Sequence, residues 1–245
     1  MLRLVAAWLA LALAPGLALT ATAVTAEAEA EADIVSARYK DATTRYGHAI
    51  LGDNAEWGTL EITLSNGKRR SFILPETRVY EDLEPRLVDL DGDGQTELMV
   101  IETDVNLGSQ LAIYGPEGKI TATPNIGRSF RWLAPLGAAD LDGDGKTEIA
   151  YIDKPHLAKV LRVWRYDNQK LTLVADKPGL TNHSIGQDFI SGGIRDCGAG
   201  PEIVTANANW TKVMATKLSD GVLTTRELGR FHSLATLRAA VACES

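Results

Sequence analysis

Short apolar runs recur along the chain between polar turns. Leu98–Ile101, Leu111–Tyr114 and Lys119–Thr123 form one set. Ile149–Ile152, Val160–Trp164 and Leu171–Val174 form a second, and Ile203–Thr205, Val213–Thr216 and Val222–Arg226 a third. Runs of this length, bounded by Gly, Asn and Asp, predict short strands joined by hairpins. Pro116-Glu-Gly118, Asp167-Asn168 and Asp220-Gly221 supply the turn chemistry. Upstream, Ala49–Leu51, Leu60–Leu64, the Asn66-Gly67 turn and Arg69–Leu74 give the same rhythm. The pattern predicts an all-β fold of four units, each with three or four strands.

Self-comparison makes this a repeat. Leu87–Val100 matches Ala138–Tyr151 through Asp-Leu-Asp-Gly-Asp-Gly-x-Thr-Glu, 51 residues later. A weaker third copy, Ile194–Val204, keeps Asp196 and Glu202, while Ile194 and Gly198 replace the first and third aspartates. Phe130–Ala139 also parallels Phe231–Ala240, which casts the C-terminus as the first strand of an unfinished unit. A chain that starts mid-repeat and ends on a lone first strand suits a closed ring, which leaves no open sheet edge. The expectation is a small β-propeller of four blades closed by the C-terminal strand; a stacked β-sandwich of the same repeats is the alternative. Cys197 and Cys243 then fall in equivalent turns of neighbouring blades, where a bridge would lock the ring. The alternative is two free thiols.

Each full loop concentrates carboxylates. Asp89, Asp91, Asp93 and Glu97 occupy positions 1, 3, 5 and 9, and Gln95 at position 7 can offer its carbonyl. The second set is Asp140, Asp142, Asp144, Lys146 (by its carbonyl) and Glu148. Four carboxylates in nine residues repel one another without a cation, and hard oxygen donors with no His or Cys select Ca²⁺ or Mg²⁺. High, flexible coordination favours Ca²⁺, so two calcium ions are expected. An EF-hand requires Glu at position 12; Val100 and Tyr151 stand there.

Asp-x-Asp-Gly-Asp-Gly-x-x-Glu followed by an apolar strand resembles the FG-GAP/VCBS repeat of integrin-α-type calcium-binding propellers, over about residues 80–215. The resemblance implies blades with a structural ion in the turn between first and second strands, and partners on the opposite face. The phenylalanine-glycine and glycine-alanine-proline signatures of that family are not clearly present.

Composition then places the chain. Of 245 residues, 45% are hydrophobic and 23% charged, the balance of a globular domain. The formal charge of −7 argues against binding nucleic acid or an anionic membrane surface. Residues 1–26 read as a signal peptide: Arg3, an apolar run from Leu4 to Leu19, then small residues, with cleavage after Ala26 or, alternatively, Ala23. Pro15-Gly16 and the shortness of the run oppose a transmembrane anchor. Residues 27–33 read as an acidic mobile tail, and 34–245 as one domain. Export to the periplasm or medium makes a Cys197–Cys243 disulfide the default.

No catalytic set emerges. His48, His156, His183 and His232 are scattered, and His183, Ser184 and Asp188 lack a nucleophile elbow or oxyanion signature. Trp57, Leu107, Leu157 and Trp210 each fall in the turn after a second strand. With Asn54, Asp104, His156 and Asn209 they outline a candidate ligand face, blade packing being the alternative. Trp132 and Trp164 read as core, and Asn209-Trp-Thr211 is a glycosylation sequon. The expected protein is an exported, monomeric, non-enzymatic module that binds a protein or glycan and uses Ca²⁺ structurally. The rival is a secreted polysaccharide lyase or hydrolase.

Overall fold

The computed structural model describes residues 32–52 and 56–244. The signal peptide, the tail to Glu31 and Asn54 lie outside the described residues. The described residues form one compact unit.

The regular structure of the described chain is nearly all β-strand, in three antiparallel sheets. The first holds β1 (Ile34–Thr43), β2 (Glu56–Leu64), β3 (Arg69–Ile73), β4 (Arg78–Tyr80), β5 (Arg86–Val88), β6 (Glu97–Asp104), β7 (Gly108–Gly115) and β8 (Gly118–Ala122). The second is the meander β9 (Leu133–Ala139), β10 (Thr147–Asp153), β11 (Val160–Asp167) and β12 (Lys170–Pro178). The third holds β13 (Leu180–Thr181), β14 (Gly193–Asp196), β15 (Pro201–Asn207), β16 (Lys212–Ser219) and β17 (Val222–Arg230). The repeated four-strand unit appears three times, as β5–β8, β9–β12 and β14–β17. An N-terminal unit of β1–β3 joins the first of these through β4, which pairs with both β2 and β6.

The second strands read as unbroken apolar runs because both their faces are buried. Leu98 and Val100 of β6 enter a core shared with Leu60 and Ile62 of β2. Met99 and Ile101 enter the next core, with Ile149 and Tyr151 of β10. Ala150 and Ile152 face a third core with Ile203 of β15, and Val204 turns into a fourth. Period-two alternation therefore feeds two cores per strand.

The fourth core corrects the ring closure expected from sequence. Its far wall is not a strand but the helix α1 (Leu234–Val241), which buries Leu237 and Ala240 against β14–β16. The physical reason lies in two positions of the Phe130/Phe231 parallel. Pro135 and Gly137 in β9 become Thr236 and Arg238 in the C-terminal copy. The helix breakers are gone, and Leu234, Leu237 and Val241 recur at helical spacing. The disulfide exists, with Cα atoms 5.7 Å apart. It ties the β14–β15 turn to the residues after α1, so it clips the helix to the third sheet rather than closing a ring.

Two smaller corrections concern the N-terminal unit. Its first strand is Ile34–Thr43, with Ala49–Leu51 in the following loop. Asp33, assigned to the tail, is tied down: its carboxylate accepts from Thr96 N at 2.7 Å and from Thr96 Oγ1 at 3.3 Å.

Candidate metal centre and the opposite face

Each acidic loop joins the first and second strands of a unit, β5–β6 and β9–β10. In Asp-Leu-Asp the alternation sends the leucine inward, and Leu90 and Leu141 are both buried. The flanking aspartates turn out. The last acid opens the next strand and folds back beneath the loop. Glu97 Oε2 accepts from Leu90 N at 2.8 Å, and Glu148 Oε2 from Leu141 N at 2.9 Å. The first aspartate shapes the turn. Asp89 accepts from Gly92 N (2.7 Å) and Gly94 N (3.0 Å), and Asp140 from Gly143 N (2.7 Å) and Gly145 N (3.0 Å). All four glycines have φ between 76° and 86°, a range costly for residues with a Cβ.

The result is two groups of carboxylate oxygens, Asp89/Asp91/Glu97 and Asp140/Asp142/Glu148, each within 4.8 Å. Asp93 and Asp144 stand outside these groups. Asp93 Oδ1 accepts from Gln95 N at 2.7 Å, and Asp144 Oδ1 from Lys146 N at 2.9 Å. The Lys146 ammonium pairs with Asp167 at 2.6 Å.

The donor set suits a hard divalent cation: it is all oxygen, and its glutamate is buried. Burial, together with Asp91, Asp93 and Asp89, pushes Glu97 up to about 6. The first group is thus short of positive charge. Burial also raises Glu148, against the pull of Arg165.

Residues 89–151 match the family model of the FG-GAP-like repeat. That span is an FG-GAP-like repeat. It runs from the first aspartate of one loop through the other loop into β10, so it contains every residue of both carboxylate groups. No curated protein matches the chain. Among solved structures, it is similar to an exotype rhamnogalacturonan lyase, YesX, at 14% identity and a TM-score of 0.43, over 74% of this chain and 43% of that one. It is also similar to rhamnogalacturonan lyase YesW, at 18% identity and 0.40, over 69% and 42%. The chain spans less than half the length of either.

Outside the FG-GAP-like repeat, the third loop is neutralised internally. Burial pushes Glu202 up, yet Arg226 (2.8 Å) and Arg195 (3.0 Å) together hold it below its ordinary value.

Of the proposed ligand-face residues, Leu107, His156, Leu157, Asn209 and Trp210 keep the expected turns and Trp57 does not. Trp57 lies within β2 rather than in a turn and packs on the core of the N-terminal unit. Trp210 sits in the β15–β16 turn with φ 56°, edge-on to Phe231. Asn209 accepts from Thr211 Oγ1 at 2.8 Å, and Asp104 caps its turn through Asn106 N at 2.9 Å. Leu107 and Leu157 are exposed in their turns.

Tertiary structure instead brings together histidines that the sequence leaves apart. His48 and His156 flank a recess beside Phe130, Trp132 and Lys154. His48 Nδ1 meets Glu81 Oε1 at 2.5 Å, and Glu81 is fully buried, with Oε2 accepting from Thr103 (2.6 Å) and Ser109 (3.1 Å). Burial pushes Glu81 up while His48 pulls it down. His183 Nε2 lies 3.1 Å from the Gln187 carbonyl, which can only accept. Its Nδ1 therefore accepts from His156 Nε2–H at 2.8 Å. Phe130 remains exposed at φ 53°, a strained angle for a bulky residue, stacked on Tyr46 at 5.0 Å. The recess is open and offers about 30 Å³, room for a water or two. No motif spacing announces this cluster, because His48, Glu81, His156 and His183 come from four separate loops.

Proposed function

We propose that the protein is an exported, non-enzymatic binding module whose FG-GAP-like loops take Ca²⁺ as a structural ion, acting as a monomer on a protein or glycan. The observation that carries this reading is the pair of all-oxygen carboxylate groups in equivalent turns, each closed by a buried glutamate. Carboxylates gathered this way repel in the ion-free state, so an ion contributes directly to folding. In the loops, Asp89, Asp91 and Glu97, and Asp140, Asp142 and Glu148, would hold the cation. The disulfide supports export to an oxidising compartment. No helix among the described residues is long and apolar enough to cross a membrane.

Calcium calorimetry with thermal melting tests the reading. Chelator should lower the melting temperature and Ca²⁺ restore it. Asp91→Ala combined with Asp142→Ala should abolish the binding heat. Unchanged melting in chelator, with no heat on titration, overturns the metal reading.

A second reading, a secreted polysaccharide-active enzyme, draws on the His48–Glu81 pair. A buried carboxylate orienting an imidazole at a recess is a general-base geometry. Turnover of any acidic or neutral polysaccharide that vanishes in His48→Asn would favour it over the binding module.

A further inference from the structure

The two acidic loops share a sequence but differ in their surroundings. Beside the second loop, Arg165 of β11 sits opposite Glu148 in the strand register. Its guanidinium reaches three carboxylates: Glu148 Oε1 at 2.6 Å, Asp142 Oδ2 at 2.6 Å and Asp144 Oδ2 at 2.9 Å. Both oxygens of Glu148 are thereby engaged, one by Arg165 and one by Leu141 N. Asp142 Oδ1 is the exception: it is buried with no hydrogen-bond partner.

The first loop has no such cation. Leu98 faces Tyr114, and one step further along the ladder Gly115 stands opposite Glu97, where the second unit has Arg165. Among the described residues no lysine or arginine pairs with Asp89, Asp91, Asp93 or Glu97. The third loop completes the series, with Arg195 and Arg226 on Glu202. Along the chain, internal guanidinium groups thus increase from none to one to two.

We infer that Arg165 is a built-in cation of the second loop, so that the protein holds one divalent ion tightly, in the Asp89–Glu97 loop, and the Asp140–Glu148 loop takes one only weakly. This rests on the metal reading of the loops. The physics is charge and geometry. The guanidinium cancels one unit of the negative charge that attracts the ion, repels the ion itself and occupies oxygens the ion would need. Asp142 Oδ1, which the guanidinium leaves unpartnered, is the oxygen the second loop can still offer a weakly held ion, and Oδ2 joins it once Arg165 is removed. Arg165 is here a specificity-determining residue, matching one loop to metal and the other to an internal pair.

The test is calcium titration of wild type, Arg165→Gln, Asp91→Asn and Asp142→Asn after chelator treatment, with thermal melting alongside. Wild type should show one tight site, lost in Asp91→Asn and kept in Asp142→Asn. Arg165→Gln should bring the tight stoichiometry to two by strengthening the second site about tenfold or more. In chelator that variant should melt lower than wild type, and calcium should recover the difference. If it does not fold without calcium, the Asp91→Asn and Asp142→Asn pair still decides which loop is tight. Two ions of equal affinity in wild type, or a second site unmoved by Arg165→Gln, overturns the inference and leaves the metal reading standing. No binding in any variant overturns both.

Discussion

At the scale of single residues, the chain places its charges by what surrounds each one. Arg165, Arg195 and Arg226 answer buried glutamates, while among the described residues Glu97 has only a backbone N–H as partner. His183 shows the opposite problem, a base kept neutral. Burial and the neighbouring His156 push it down to about 4. A group whose folded value is depressed contributes stability above its unfolded value, about 6.5, and loses it as pH falls through the folded value. Wild type should therefore lose stability between about pH 6.5 and pH 4, and His183→Gln should flatten that loss. Chemical denaturation across this range checks it; parallel pH profiles for both proteins would contradict the assignment.

At the scale of elements, the same small irregularity marks all three repeated units. Each outermost strand carries one extra residue against its partner: Ile120, Val174 and Leu228. Each of these residues packs on an apolar core. A bulge shifts the strand by one residue, so it delivers a side chain to the face that strict alternation would deny it. Helix α1 is the other decisive element, because it covers the outer face of the third sheet. Leu237→Ala should cost about 2–4 kcal/mol by leaving a cavity there. Replacing Cys197 and Cys243 by serine should cost about 3–4 kcal/mol, since the bridge spans 46 residues. Denaturant midpoints of both variants measure these directly, and a cysteine-free protein as stable as wild type would show that α1 docks without its clip.

At the scale of the whole molecule, layers alternate with cores from the N-terminal unit to α1, and the acidic loops occupy the same turn in successive layers. Binding an ion in such a turn stiffens the joint between a first and a second strand. The opposite turns carry the His48–His156 recess and the exposed Phe130. A glycan array and a protein pull-down, each with Phe130→Ala and His48→Asn as controls, should localise any partner to that face. Binding retained in both variants would place the partner elsewhere.

The sequence by itself determined most of the strands, the repeat and three of the four carboxylates in each acidic set, because each is local: period-two alternation, Asp-Gly spacing and Asn-Gly or Asp-Gly turns act over a few residues. It also identified the bridged cysteines, since two cysteines leave a single pairing within the chain. Three features needed the tertiary structure. The C-terminal segment became a helix because Thr236 and Arg238 permit what Pro135 and Gly137 forbid, while Leu-Ala-x-Leu spacing fits either state. The histidine cluster required loops far apart in the chain to meet. The inequality of the two acidic loops is carried by Arg165 and Gly115, residues outside the motif, which act only because strand register brings them beside it.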